Sequence, residues 1–397
     1  MAETASQKLR ILYDRNLLLG DKLFRRLGRA RAIDGRNIRR EDLANCDLLF
    51  VRSTCRIDGA LLEGTPVRFV GSGVAGTDHL DFEALSRLGV TVATAPGCNA
   101  ESVADYVVAA LLTFAERQQI SWEKRTLGIV GVGHVGTIVK RFAEEALGMQ
   151  TLCCDPPRKD AGDWQARDFV SYEELLRQAD VITFHTPLTH EGPYKTCGLF
   201  SGPVVRQVKP GALLLNFARG PICDNALLTA MLTTGQLSEA AIDCWEGEPD
   251  YQPGLAMLAS LTTPHIAGHA FEGKANGTWA VYKAACEFLE RPVGRLPVYP
   301  DAPVSSLRLN CEEFSDQAIL REAVKATCDI EADSARFRAA YSDTPAGRRE
   351  AFDFQRKNYP LRRLFNATTL ILSHPSASLV RKLEVLGFNV VVPPSEA

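Results

Sequence analysis

The chain has 397 residues, more than one hydrophobic core usually supports, so two or three domains are expected. With 46% hydrophobic and 23% charged residues it reads as globular, and a net charge of −3 with a pI near 6.2 lacks the basic footprint of a nucleic-acid binder. The start, Met1-Ala-Glu-Thr-Ala-Ser6, shows no secretory pattern, and the most apolar helical stretch, Tyr106 to Ala115, is too short for a membrane span. Eleven cysteines at irregular spacing, with no C-x-x-C pair, suggest reduced thiols and a cytoplasmic setting.

The first hundred residues alternate strand and helix patterns. Strands are expected at Leu9 to Asp14, Asp47 to Ser53, Val67 to Ser72 and Val90 to Ala95, with helices from Asn16 and over Asp81 to Leu88. Such alternation implies a parallel α/β lobe. Glu101 to Gln118, apolar at helical spacing, reads as a connecting helix into a second lobe. There strands are expected at Leu127 to Val132, Thr151 to Asp155, Val181 to His185, Ala212 to Phe217 and Ala240 to Trp245. A helix from Phe271 to Glu290 then returns to the first lobe, which leaves the active site in the cleft between the lobes. Residues 291–303 carry four prolines and read as a linker to a third α+β module, which ends in a strand at Thr369 to Ser373, a helix near Ser378 to Leu386 and a strand at Asn389 to Val392. The expected domains are 1–100 completed by 265–291, then 101–264, then 292–397. The fold class is α/β, with two doubly wound Rossmann-like parallel lobes and a C-terminal α+β module.

Loops at the carboxyl ends of the second-lobe strands hold the chemistry, where open α/β sheets bind ligands. Gly131-Val132-Gly133-His134-Val135-Gly136 follows a strand-like run and opens a helix-like stretch, His134 to Leu147. In that context the glycines let backbone approach a pyrophosphate, and the helix N-terminus supplies free N–H groups. Asp155 stands about 20 residues further on, where a carboxylate accepts from a ribose hydroxyl and repels a 2′-phosphate. NAD is therefore favoured over NADP, with Arg158 just beyond weighing the other way.

Three residues suit oxidation of a 2-hydroxy acid. His265, after Pro264, can take the hydroxyl proton because an imidazole titrates near working pH. Glu248 can orient that ring and favour its charged form. Arg219 can bind the substrate carboxylate or the developing charge on the C2 oxygen. Structural ion pairing for Arg219 and a plain loop carboxylate for Glu248 are the alternatives. His265 and His269 stand four apart, but Pro264 and Gly268 favour a loop over a metal-binding helix, so no metal is expected. His79, His185 and His190 read as packing or surface residues.

These motifs resemble those of the D-2-hydroxyacid dehydrogenase family. The likeness covers the glycine fingerprint, Asp155, Phe184-His-Thr-Pro187, Lys209-Pro-Gly211, Asn216-Phe-Ala-Arg-Gly220, Asp243-Cys-Trp-Glu-Gly-Glu-Pro249 and Thr263-Pro-His-Ile-Ala-Gly268. The resemblance implies Arg219 as substrate-orienting, Glu248 as histidine partner and His265 as acid/base. It also places Thr186, Asp243 and Gly268 near NAD. Within the family the chain is similar to a branch that takes a phosphorylated 2-hydroxy acid and carries a C-terminal dimerisation domain, so a homodimer is implied. Ser53, Val74 and His269 then stand at substrate-contacting positions, where the branch usually has threonine in place of Val74 and tyrosine in place of His269. Arg356, Lys357, Arg362 and Arg363 read either as cations approaching the same site or as a solvated face. Competing functions are another family dehydrogenase, such as one for 3-phosphoglycerate, and a non-catalytic NAD-sensing protein. No nucleic acid or membrane partner is expected.

Overall fold

A computed structural model describes residues 9–394. The described residues divide into two compact units, one formed by residues 9–99 with 271–300, the other by residues 100–270 with 301–394.

The first unit is built on five parallel strands: β1 (Arg10–Asp14), β2 (Arg29–Ile33), β3 (Leu48–Val51), β4 (Phe69–Ser72) and β5 (Thr91–Ala93), ordered β2-β1-β3-β4-β5. β3 and β4 are buried along their whole length, as befits central parallel strands covered on both faces. One face packs against helix Phe271–Phe288, where Val281, Tyr282, Ala285 and Cys286 meet Phe50 and Phe69. Two details differ from the sequence reading. β2, Arg-Ala-Arg-Ala-Ile, is an edge strand with little burial, so it carries no apolar signature. The first helix runs Gly20–Phe24 rather than from Asn16, because Leu19 before it is left-handed at φ 65°.

The second unit holds six parallel strands: β6 (Thr126–Val130), β7 (Gln150–Cys154), β8 (Val181–Phe184), β9 (Ala212–Asn216), β10 (Leu237–Ile242) and β11 (Leu261–Thr262), ordered β11-β10-β9-β8-β6-β7. The direction of strand succession reverses between β6 and β8. That is the switch point at which open α/β sheets bind nucleotides. Helix Ala100–Gln118 is buried on nearly every side from Ser102 to Ala115, as expected of a central helix that is apolar all round. The helix expected over His134 to Leu147 is α-helical only through Arg141 and widens to a π turn over Phe142–Ala146.

The C-terminal residues add a parallel sheet of β12 (Ser306–Asn310), β13 (Thr369–Ser373) and β14 (Asn389–Val391), ordered β12-β13-β14. Helices Asp316–Thr327, Ile330–Ala339 and Pro345–Lys357 lie between β12 and β13 in the chain. Ser315, Asp329 and Thr344 cap their N-termini by accepting backbone N–H groups. This module has no separate core. Leu320, Val324, Phe365, Leu372 and Leu383 share one apolar cluster with Val107, Leu111 and Phe142. All eleven cysteines are free, and no helix among the described residues is long and apolar enough to cross a membrane.

Candidate active site

The glycine loop turns between β6 and helix His134–Arg141. Gly131 has φ +88°, and a Cβ there would lie 2.8 Å from the His185 carbonyl carbon, so the loop presses against the end of β8. At Gly136 a Cβ would lie 2.1 Å from the Gly131 carbonyl oxygen. Gly133 is different. A Cβ there meets no protein atom within 4 Å, so packing within the chain does not explain this glycine. The helix it precedes has no side-chain cap, which leaves the N–H groups around His134, Val135 and Gly136 available to an anion. Across the switch point, the Thr186 hydroxyl oxygen is buried without a partner among the described residues.

β7 stops at Cys154, so Asp155 does not end the strand but caps the next helix, Pro156–Asp160. Its carboxylate accepts the Val132 N–H at 2.8 Å and the Arg158 N–H at 3.3 Å, which fastens the glycine loop to the end of β7. Arg158 is held elsewhere, donating to Asp163 at 2.7 Å, to the Val132 carbonyl at 2.5 Å and to Gln165 at 3.1 Å. An arginine so engaged is poorly placed to receive a 2′-phosphate. The open glycine cradle, uncapped helix, Asp155 carboxylate just past β7 and unpaired Thr186 hydroxyl fit an NAD dinucleotide.

The three catalytic candidates lie on loops after β9, after β10 and after β11. Asn216 shapes the first by donating to the Arg219 carbonyl at 3.0 Å and accepting the Ala218 N–H at 3.2 Å. A Cβ on Gly220 would lie 1.9 Å from the Trp245 carbonyl carbon, so the Arg219 loop and the Trp245–Glu248 loop touch backbone to backbone. Glu248 Oε2 accepts the Trp245 N–H at 3.1 Å, and its Oε1 lies 2.5 Å from His265 Nδ1. With Nδ1 so engaged, His265 Nε2 is the ring atom left for chemistry. Burial works to raise the Glu248 pKa, but the His265 charge and hydrogen bond, the Arg356 charge and the Trp245 N–H outweigh it and push the value down to about 2. Glu248 is a carboxylate at any working pH.

His265 itself has φ +58°, unusual for a side-chain-bearing residue. Asp243, fully buried, fixes the loop by accepting the Thr263 hydroxyl at 2.7 Å and the N–H groups of Ile266 at 2.7 Å and Ala267 at 3.0 Å. Three accepted bonds fill most of that carboxylate's lone pairs. Gly268 follows, half-buried, and the His269 ring stands edge-on to Tyr359 with centroids 6.1 Å apart.

In the first unit, Ser53 is exposed on the loop after β3, and Val74 is half-buried on the loop after β4. Arg52 pairs with the buried carboxylate of Asp14 at 3.1 Å, which ties the Ser53 loop to the end of β1. His79 accepts or donates a 3.0 Å bond with Ser72, and His185 is buried beside Thr183, in keeping with packing roles. Arg362 is 6% exposed, so the solvated-face reading fails for it. Sequence reasoning also passed over Ser102, a buried serine bonded to the His265 loop, because one serine inside an apolar helix gives no periodic signal.

Residues 104–267 match the family model for the D-isomer specific 2-hydroxyacid dehydrogenase NAD binding domain, and residues 299–387 match one described as a domain of unknown function (DUF3410). Erythronate-4-phosphate dehydrogenase of Salmonella arizonae is 42% identical over 98% of this chain and 100% of its own length. That of Salmonella typhimurium is also 42% identical, with the same coverage. Among solved structures, the TT0316 protein of Thermus thermophilus superposes with a TM-score of 0.62 at 27% identity, covering 71% of this chain and 98% of its own. The NAD-bound 3-phosphoglycerate dehydrogenase of Entamoeba histolytica does so at 0.59 and 24%, covering 74% and 99%, a likeness of fold. The chain belongs to the D-2-hydroxyacid dehydrogenase family, with NAD as its cofactor.

Proposed function

We propose that the substrate is 4-phospho-D-erythronate, oxidised at C2 to the 2-oxo acid (R)-3-hydroxy-2-oxo-4-phosphooxybutanoate in the synthesis of pyridoxal 5′-phosphate. The full-length relatives named erythronate-4-phosphate dehydrogenase support that substrate. The observation that carries the chemistry is the 2.5 Å contact between His265 Nδ1 and Glu248 Oε1. In this reading His265 Nε2 removes the C2 hydroxyl proton, and Glu248 stabilises the imidazolium that forms. Arg219 holds the substrate carboxylate or the C2 oxygen through its fork of donors. NAD, when bound, accepts the hydride that leaves C2.

Gly131, Gly133, His134, Val135 and Gly136 would then hold the pyrophosphate and Asp155 the adenosine ribose. Thr186, Asp243 and Gly268 are assigned to positions near NAD, with Asp243 acting mainly through the loop it fixes. Ser53, Val74 and His269 are proposed as substrate contacts. Valine at position 74 offers no hydroxyl, whereas His269 offers a ring N–H. We also assign a homodimer contact to residues 292–397, where Phe314 and Phe354 are 64% and 61% exposed. Sedimentation of a Phe354→Glu variant as monomer would support that contact, and an unchanged dimer would remove Phe354 from it.

The substrate is tested by kcat/KM for 4-phospho-D-erythronate beside 3-phosphoglycerate and D-lactate, with a 2-keto acid and its reductase present to reoxidise NADH. Preference for 4-phospho-D-erythronate is expected. A larger value for 3-phosphoglycerate would transfer the assignment to another member of the family.

A further inference from the structure

The two peptide groups that follow His265 are held from both sides by buried charge. On one side the Asp243 carboxylate accepts the N–H groups of Ile266 and Ala267. On the other, Arg362 Nη2 donates to the carbonyl oxygens of the same two residues, at 3.3 Å to Ile266 and 2.5 Å to Ala267. Arg362 comes from the C-terminal module, 97 residues beyond His265 in the chain. Its remaining contacts lock the guanidinium in place. Nη2 also donates to the Ser102 hydroxyl at 2.9 Å, Nη1 lies 3.1 Å from the Cys328 sulfur, and the group lies 4.8 Å from the Tyr106 ring centroid.

Ser102 closes the arrangement. Its hydroxyl donates to the Ala267 carbonyl at 2.9 Å and accepts the Ala270 N–H at 3.0 Å as well as the Arg362 N–H. One donor and two lone pairs are thereby all used. A lysine could supply the charge of Arg362 but not its planar fork, which reaches acceptors in several directions at once.

We propose that Arg362 is a positioning residue for the reaction: with Asp243 and Ser102 it clamps the Ile266–Ala267 backbone and so sets the direction of the His265 ring. The proposal rests on the reading of His265 as acid/base. It gives the C-terminal module a part in catalysis that does not depend on assembly with a second copy. The guanidinium touches neither substrate nor cofactor in this account and acts only through the loop.

The test compares wild type with Arg362→Lys, Ser102→Ala and the exposed control Arg308→Lys in the full-length chain. Two readouts are needed: steady-state kinetics with NADH binding by fluorescence, and the ring resonances of His265 in ¹⁵N-histidine-labelled free protein, assigned by their loss in His265→Asn. Arg362→Lys should lower kcat by roughly tenfold or more while the NADH dissociation constant stays within about twofold, because small misplacement of a catalytic group is costly. The His265 resonances should move. Ser102→Ala should act in the same direction less strongly, and Arg308→Lys should change neither readout. Folded Arg362→Lys with wild-type kcat and unmoved His265 resonances overturns the clamp. If that variant does not fold, Ser102→Ala decides, and unchanged kcat and resonances there overturn it equally. Should the wild type not oxidise 4-phospho-D-erythronate, the reaction reading fails, while the resonances of the free protein still decide the clamp.

Discussion

Glu248 grips His265 at 2.5 Å through Nδ1 while its other oxygen accepts the Trp245 N–H at 3.1 Å, so one carboxylate joins the loop after β10 to the loop after β11. Trp245 strengthens the same junction by donating its indole N–H to the Thr263 carbonyl at 2.8 Å. The orientation of the histidine is thus fixed by two neighbouring strand ends, which is why a loop residue can serve as a directed acid/base.

Replacing Glu248 by Gln should lower kcat, since it removes the carboxylate that holds the His265 ring through Nδ1. Stability should respond too. The folded pKa of about 2 lies below the ordinary 4.5, so the stabilisation is fully present above pH 4.5 and fades as pH falls toward 2. Melting curves of wild type and Glu248→Gln should therefore converge over that window. Parallel curves and an unchanged kcat would count against the pair.

Two glycine substitutions should separate packing from ligand binding. Gly220→Ala places a Cβ against the Trp245 carbonyl and should cost about 1–3 kcal/mol as an overpacked contact, lowering kcat as the Arg219 loop shifts. Gly133→Ala meets no protein atom, so its melting temperature should stay near wild type while NADH binding weakens. Calorimetric titration with NADH beside thermal melts reads both effects. Unchanged NADH affinity in Gly133→Ala would remove this loop from the cofactor site.

Asp155→Ala should reduce NAD affinity and narrow its advantage over NADP, because the carboxylate both repels a 2′-phosphate and secures the Val132 N–H. Arg158, bound to Asp163 and Gln165, offers NADP little compensation. Kinetics with both cofactors under saturating substrate measure the gap, and a native preference for NADP would contradict the assignment.

His185 supplies an acid-sensitive element outside the chemistry. Burial lowers its pKa from 6.5 to about 3, so the folded ring resists the proton that the unfolded chain accepts. This contribution leaves stability intact above pH 6.5 and erodes it as pH falls toward 3, with a slope of at most about 1.4 kcal/mol per pH unit. His185→Gln, which keeps a polar group near Thr183, should flatten the pH dependence of the melting temperature in that range. An equally steep dependence would mean that other groups dominate acid unfolding.

Much of the site was readable because its residues close apolar strands: β8 and β9 are continuous buried runs, and Arg219 follows β9 within a few positions. The glycine fingerprint was readable for a similar reason, since its spacing is set by local geometry. β2 escaped because an exposed edge strand need not be apolar. The uses of Asp155 and Asp243 as backbone acceptors also escaped, since the same carboxylates suit a ribose or a nicotinamide equally well. Arg362 could not be singled out from Arg356, Lys357 and Arg363, because its burial depends on contacts with Ser102 and Ala267, 260 and 95 positions away.

The most direct measurement of the central claim is single-turnover oxidation of 4-phospho-D-erythronate by His265→Asn beside wild type, with NADH affinity determined on the same preparations. Loss of the acid/base should slow turnover by about 10²–10⁴ while NADH binding stays near wild type. Turnover close to wild type in a folded, NADH-binding His265→Asn protein would contradict the assignment of His265 as the residue that moves the substrate proton.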